Sequence, residues 1–223
     1  MKKYELTQNS IKINNRTLYQ IKALKDFGSV KKGDLGGFIE SENNLSHDGN
    51  CWISGNALVY ENAWVSGNAW VSGNAKVYGK TEVYGNAHVY GNVRVYENAL
   101  VHEDAQIYGN ARVSGNVQVY GNAKVYGNAS VSENAQVSGS AQVSGNAQVY
   151  GDARVSGNTH VYEDAHVYGN ARLGNVPVNF NCNFDPYKIL KEILNCPKIL
   201  PVLSGLNENL DKLISTILTK TGT

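Results

Sequence analysis

Neither sign of charge dominates this sequence: 20 Lys and Arg against 19 Asp and Glu leave a net charge of +1. That excludes a globally basic binder of extended nucleic acid and a polybasic membrane clamp. No apolar run approaches the roughly 18 residues needed to span a bilayer. The two lysines of MKKYELTQNS have no apolar stretch behind them, so no secretory leader is expected. Cysteine is sparse, and Cys51, Cys182 and Cys196 form no CxxC pair, so a reducing cytoplasm is the expected setting. Charged residues make up only 17% of the chain, yet hydrophobics reach 42%, which is not a disordered composition. At 223 residues the chain is long enough to bury a real core. Against a single Met stand 23 Gly and 14 Tyr, an imbalance that signals a repeat.

From Ile53 to Arg172 the chain divides into 20 consecutive hexads without an insertion. Counted from its aliphatic residue, slot one is Val in 18 hexads and Ile in two. Slot two is Tyr in 11, Ser in 8 and His once, at His102. Slot three is Gly in 15 and Glu in 5, slot four is Asn in 15, and slot five is Ala in 16. Only slot six varies freely. In an extended chain slots five and one face the same side, giving a narrow interior of small and β-branched residues. Slots six and two then point outward. The Gly-Asn pair forms the corner: Gly carries no Cβ penalty, and Asn is expected to tolerate the left-handed conformation there. A helix is excluded, because Gly-Asn every six residues would break it.

The pattern V-[YS]-[GE]-N-A-x resembles the hexapeptide repeat of left-handed parallel β-helix proteins. The resemblance implies an all-β solenoid in which three hexads make one triangular coil of 18 residues. The stretch from Gly36-Gly37-Phe38-Ile39-Glu40 to Cys51-Trp52-Ile53 resembles the lead-in of YdcK-like proteins, often labelled putative transferases or polymer-forming proteins. That label follows fold analogy and says little about activity. An 18-residue coil puts slot-three Glu61, Glu97 and Glu133 on one corner with Gly79 and Gly115 between them, so like charges avoid adjacent rungs.

An open coil needs covered ends. Residues 1–46 are expected to form an N-terminal β cap, 47–172 the β-helix and 173–184 an irregular transition. Residues 185–223 are expected to form a helical segment that plugs the end, self-associates, or does both. There Leu206, Leu210, Leu213 and Ile217 are spaced four, three and four, a coiled-coil-like seam. With the exposed aromatics, this seam predicts a closed homo-oligomer, and the resemblance favours a trimer.

Three functions compete. Acyl transfer in the manner of hexapeptide acyltransferases would use a histidine at a trimer interface, with His88 and His102 as the candidates. Yet no loop protrudes from the 120 repeat residues to wall an acyl-donor site. Metal binding would need three convergent imidazoles, which the spacing does not supply, so neither metal nor cofactor is expected. A self-assembling structural protein is the second possibility.

The favoured reading is a non-enzymatic binding or scaffold protein. At 18-residue spacing Lys76, Arg94 and Arg112 stack on successive rungs beside Tyr78 and Tyr96. Stacked cations repel unless something negative sits there. Arg offers a bidentate grip on phosphate or carboxylate, and Tyr offers a stacking plane. The expected partner is a nucleotide-like small molecule or an acidic protein surface. A small stand-alone repeat protein of this kind would suit a phage or prophage that sequesters a host signal.

Overall fold

The computed structural model describes residues 2–175 and 177–178. The expected helical segment at 185–223, including Leu206, Leu210, Leu213 and Ile217, lies outside the described residues.

The hexads fold as a parallel β-solenoid. Slot six and the following slot one form a short strand, of two residues in most rungs, such as Arg94–Val95. Strands pair in parallel with residues 18 positions away, as Arg94 does with Lys76 and Arg112. Three strands therefore complete a turn, and they stack into three sheets of ten, eight and seven strands, the first sheet's ten including three from the N-terminal segment. The first sheet carries Leu58–Val59 through His166–Val167, the second Trp52–Ile53 through His160–Val161, and the third Trp64–Val65 through Arg172–Gly174. Among the described residues no α-helix forms, and only a single 3-10 turn, Glu42–Asn44, interrupts the strands.

The interior is as narrow as the small and β-branched slots demand. Slot-one side chains from Ile53 to Val167 are all fully buried, and almost every slot-five residue joins them. With only Ala, Val, Ile and two Thr inside, packing density rests on rungs meeting at sheet spacing.

The corners work differently from the expectation. Left-handed φ falls on slot three in all twenty hexads, from 57° at Glu163 to 91° at Gly91, and the slot-four asparagines have none. Asparagine's role is instead lateral. Most of the amide nitrogens donate to the side-chain oxygen one rung on, as from Asn56 through Asn74, Asn92, Asn110, Asn128 and Asn146 to Asp164, at 2.9–3.2 Å. An aspartate accepts but cannot donate, so Asp104, Asp152 and Asp164 each receive such a bond and pass none on.

Two of the slot-three glutamates, Glu61 and Glu103, offset the left-handed strain with a backbone contact. Glu61 Oε2 accepts from the Gly79 amide at 2.9 Å, and Glu103 Oε2 from the Gly121 amide at 2.8 Å. A Cβ at Gly79 or Gly115 would lie 2.6 or 2.5 Å from the carbonyl oxygen of Glu97 or Glu133. Backbone crowding thus joins charge repulsion in keeping glutamates off adjacent rungs.

The first 50 residues are built otherwise. Strands β1 (Tyr4–Ile13) and β2 (Arg16–Ala23) form an antiparallel hairpin, turned by Asn14 and Asn15, both at positive φ. Strand β3 (Leu35–Ile39) pairs antiparallel with β2 and parallel with Leu58–Val59, so it supplies the first sheet's opening rung. Buried Asn44 donates to the carbonyls of Glu61 and Ala63 at 2.9 and 2.8 Å, and Tyr4 donates to Leu45 O at 2.7 Å. Lys3, also buried, donates to Cys51 O at 2.9 Å and reaches Cys51 Sγ at 3.2 Å. Burial lowers the Lys3 ammonium's pKa and raises that of the Cys51 thiol.

The opposite end runs past Arg172. Leu173 pairs with Val155, and Pro177–Val178 with His160–Val161, so the expected irregular stretch begins as two further rungs.

Candidate functional site

On the first sheet, slot six and slot two form two parallel columns on the outer face. Parallel register puts Lys76, Arg94 and Arg112 on successive rungs of the slot-six column. Lys76 is half-buried, and both arginines are exposed. Among the described residues none of the three makes an ion pair. Rungs stand about 4.8 Å apart, so three neighbouring cations create a local positive field on a nearly neutral protein.

The slot-two column is aromatic. Tyr60 stacks on Tyr78 with ring centroids 5.0 Å apart, and Tyr78 on Tyr96 at 5.1 Å, both almost parallel. Tyr60 seals the start of this column against Leu18 and Leu58. Burial, followed by the Tyr78 and Glu61 neighbours, pushes its phenol up to about 12, while Arg16 and Arg94 oppose the shift. Burial also raises Tyr78, next to Tyr96, and again Arg94 opposes. The Arg94 charge is therefore felt across the aromatic column. The sequence-predicted ligand residues Lys76, Tyr78, Arg94, Tyr96 and Arg112 share one face.

The candidate catalytic histidines do not converge. His88 is exposed on the second sheet between Trp70 and Gln106. His102 follows the third sheet's Leu100–Val101 and is sandwiched between Tyr84 and Tyr120 at 4.9 and 5.2 Å. It completes an aromatic ladder, a role its sequence position as the one slot-two histidine already suggests. Among the described residues no three His, Cys, Asp or Glu side chains are grouped to hold a metal ion.

Two further features escaped the sequence reading. Arg154 and Arg172 are register partners on the third sheet and line a 430 Å³ cleft with Asn134, Gln136, Asp152 and Asn170. Their 18-residue spacing was the available signal. A 560 Å³ cleft near the start of the coil contains Arg16, but Glu40 at 2.7 Å and Glu61 at 3.6 Å already occupy that guanidinium.

Among the described residues, no helix is long and apolar enough to cross a membrane. No curated protein matches the chain. The YdcK beta solenoid repeat matches residues 53–67, 87–103, 105–121, 117–133 and 147–163. All five matches fall on rungs of the parallel coil, and together with that coil they show a YdcK-like β-solenoid repeat fold.

Proposed function

We propose that the protein is a non-enzymatic binding scaffold that captures an anionic partner on the outer face of its first sheet. The observation that carries this reading is the column of Lys76, Arg94 and Arg112, stacked in register with no carboxylate paired to it among the described residues. An evenly solvated face would gain nothing by aligning like charges, whereas a phosphate or carboxylate partner turns the repulsion into binding energy. The adjoining tyrosines suit a nucleotide-like molecule, and an acidic protein surface would satisfy the same charges. A sequestering role, of the kind a phage or prophage protein would serve, follows from binding without chemistry.

The setting we propose is cytoplasmic, consistent with the free thiol of Cys51 buried beside Lys3. A homo-oligomer, with a trimer favoured, is proposed from the exposed aromatics Trp64 on the third sheet and Tyr90 on the second.

The test is calorimetry with inorganic pyrophosphate. Arg94→Ala removes the central rung and is expected to weaken binding by about 1.5–3 kcal/mol, the scale of a charge-assisted hydrogen bond. Stability should stay level or rise slightly, because repulsion in the free protein is relieved. Equal affinity in wild type and variant would refute the reading.

A further inference from the structure

The aromatic column of the first sheet is broken, and the break is shaped. After Tyr60, Tyr78 and Tyr96 the slot-two column continues with Ser114 and Ser132, then resumes with Tyr150 stacked on Tyr168 at 5.3 Å. Tyr96 and Tyr150 are three rungs apart, about 14 Å at sheet spacing. Two ring positions are missing between them.

Two slot-two serines of the second sheet are covered. On the second sheet the Trp70 indole leans across from the next rung and donates from Nε1 to Ser54 Oγ at 3.1 Å. His160 likewise lies over Ser144, with Nε2 3.0 Å from Oγ. Both fillers are slot-six residues sixteen positions after the serine. At Ser114 that position is Ser130, which is too short to cover anything. One face of the Tyr96 ring therefore looks along the column to a serine rather than a ring. Sixteen positions after Tyr96 stands exposed Arg112, whose guanidinium has no ion-pair partner among the described residues. Arg112 and Ser130 also line a 460 Å³ cleft that runs along the neighbouring asparagine corner.

We infer that this break is a ligand notch that takes a flat ring carrying an anionic group, with the ring stacked on Tyr96 over Ser114 and the anion held by Arg112 and Arg94. The inference rests on the anion-capture reading above and deepens it. The cations alone would accept any phosphate or carboxylate, and the notch selects those attached to an aromatic plane. Stacking on a tyrosine tolerates different rings, so the specificity is for a class, that of aryl or nucleobase-bearing anions. Ser132 has the long Gln148 sixteen positions on, so the notch is the single ring position over Ser114.

The test compares 1-naphthyl phosphate with methyl phosphate, which shares the anionic group and lacks the ring, by NMR titration of the full chain. Wild-type protein is expected to bind the naphthyl compound about tenfold tighter, the scale of one stacked ring. Ser114→Tyr continues the column with the residue commonest in slot two and should fold normally. It is expected to lower naphthyl phosphate affinity to that of methyl phosphate and leave methyl phosphate unchanged. Tyr96→Leu, which keeps bulk but removes the ring face, should act the same way. Arg94→Ala should weaken both probes. Undiminished naphthyl phosphate binding by Ser114→Tyr overturns the notch, as does wild-type protein that does not prefer the ring. Methyl phosphate binding that Arg94→Ala leaves untouched overturns the cation ladder instead, so the two failures are told apart.

Discussion

The first 50 residues and the coil that follows are held together by different means. Five of the six close cation–carboxylate contacts among the described residues involve residues 2–47, and only His102–Glu103 lies within the repeat. At the N-terminal end single polar side chains reach distant carbonyls, as Asn44, Tyr4 and Lys3 do. In the coil every rung repeats the same backbone pairing and aliphatic interior, and most rungs continue a corner ladder. The difference teaches where stability is concentrated. A rung shares its load with its neighbours, whereas the N-terminal segment depends on particular side chains that nothing duplicates.

The same residue type in both regions gives the sharpest test. Asn44→Ala strips partners from two buried carbonyls and from the Ser41 amide, and should cost about 2–4 kcal/mol in denaturant unfolding. Asn110→Ala removes one link on each side of an exposed ladder and should cost about 0.5–1 kcal/mol. Equal costs would erase the distinction between the two regions.

Within the coil, the rungs are nearly but not fully equivalent. Gly55 and Gly115 share the left-handed φ, so alanine at either pays the conformational cost of about 1–2 kcal/mol. A Cβ at Gly115 also meets the Glu133 carbonyl oxygen at 2.5 Å, whereas at Gly55 the nearest atom is Gly73 O at 3.2 Å. Gly115→Ala should therefore lower stability by about 1 kcal/mol more than Gly55→Ala, as overpacking against backbone does. If the two glycines respond alike, backbone crowding does not explain the alternation with glutamate.

A pH-dependent effect concerns the seam between the two regions, where Tyr60 packs on Leu18. The fold keeps this phenol protonated beyond its ordinary 10.0, up to about 12. The unfolded chain loses that proton first, so the folded state binds more protons in this window. The associated stability is complete below pH 10 and is lost as pH rises from 10 to about 12. Urea midpoints measured across that range should fall more steeply in wild type than in Tyr60→Phe.

The coil was legible in the sequence because each hexad states the same geometry, with Val in, Tyr or Ser out and a corner between them. The division of labour at the corner was not. Asparagine's tolerance of left-handed backbone made slot four the expected bearer, but slot three carries the φ and asparagine builds ladders across a spacing of 18. The cation ladder followed from the same spacing, and so could the Arg154–Arg172 pair have done. The notch was harder to see, because its emptiness depends on Ser130 standing where Trp70 or His160 stands elsewhere. That diagonal relation emerges only when neighbouring rungs are laid side by side. Lys3 reads as a solvated terminal charge, and only contacts spanning 48 positions reveal it as a buried partner of Cys51.

The most direct test of the scaffold account is a backbone-amide NMR titration of the full chain with pyrophosphate. The shift changes should center on residues 76–78, 94–96 and 112–114 of the first sheet, and Arg94→Ala should abolish their saturation. Changes spread over all three sheets, or confined to the Arg154–Arg172 cleft or the neighbourhood of His88 and His102, would contradict it.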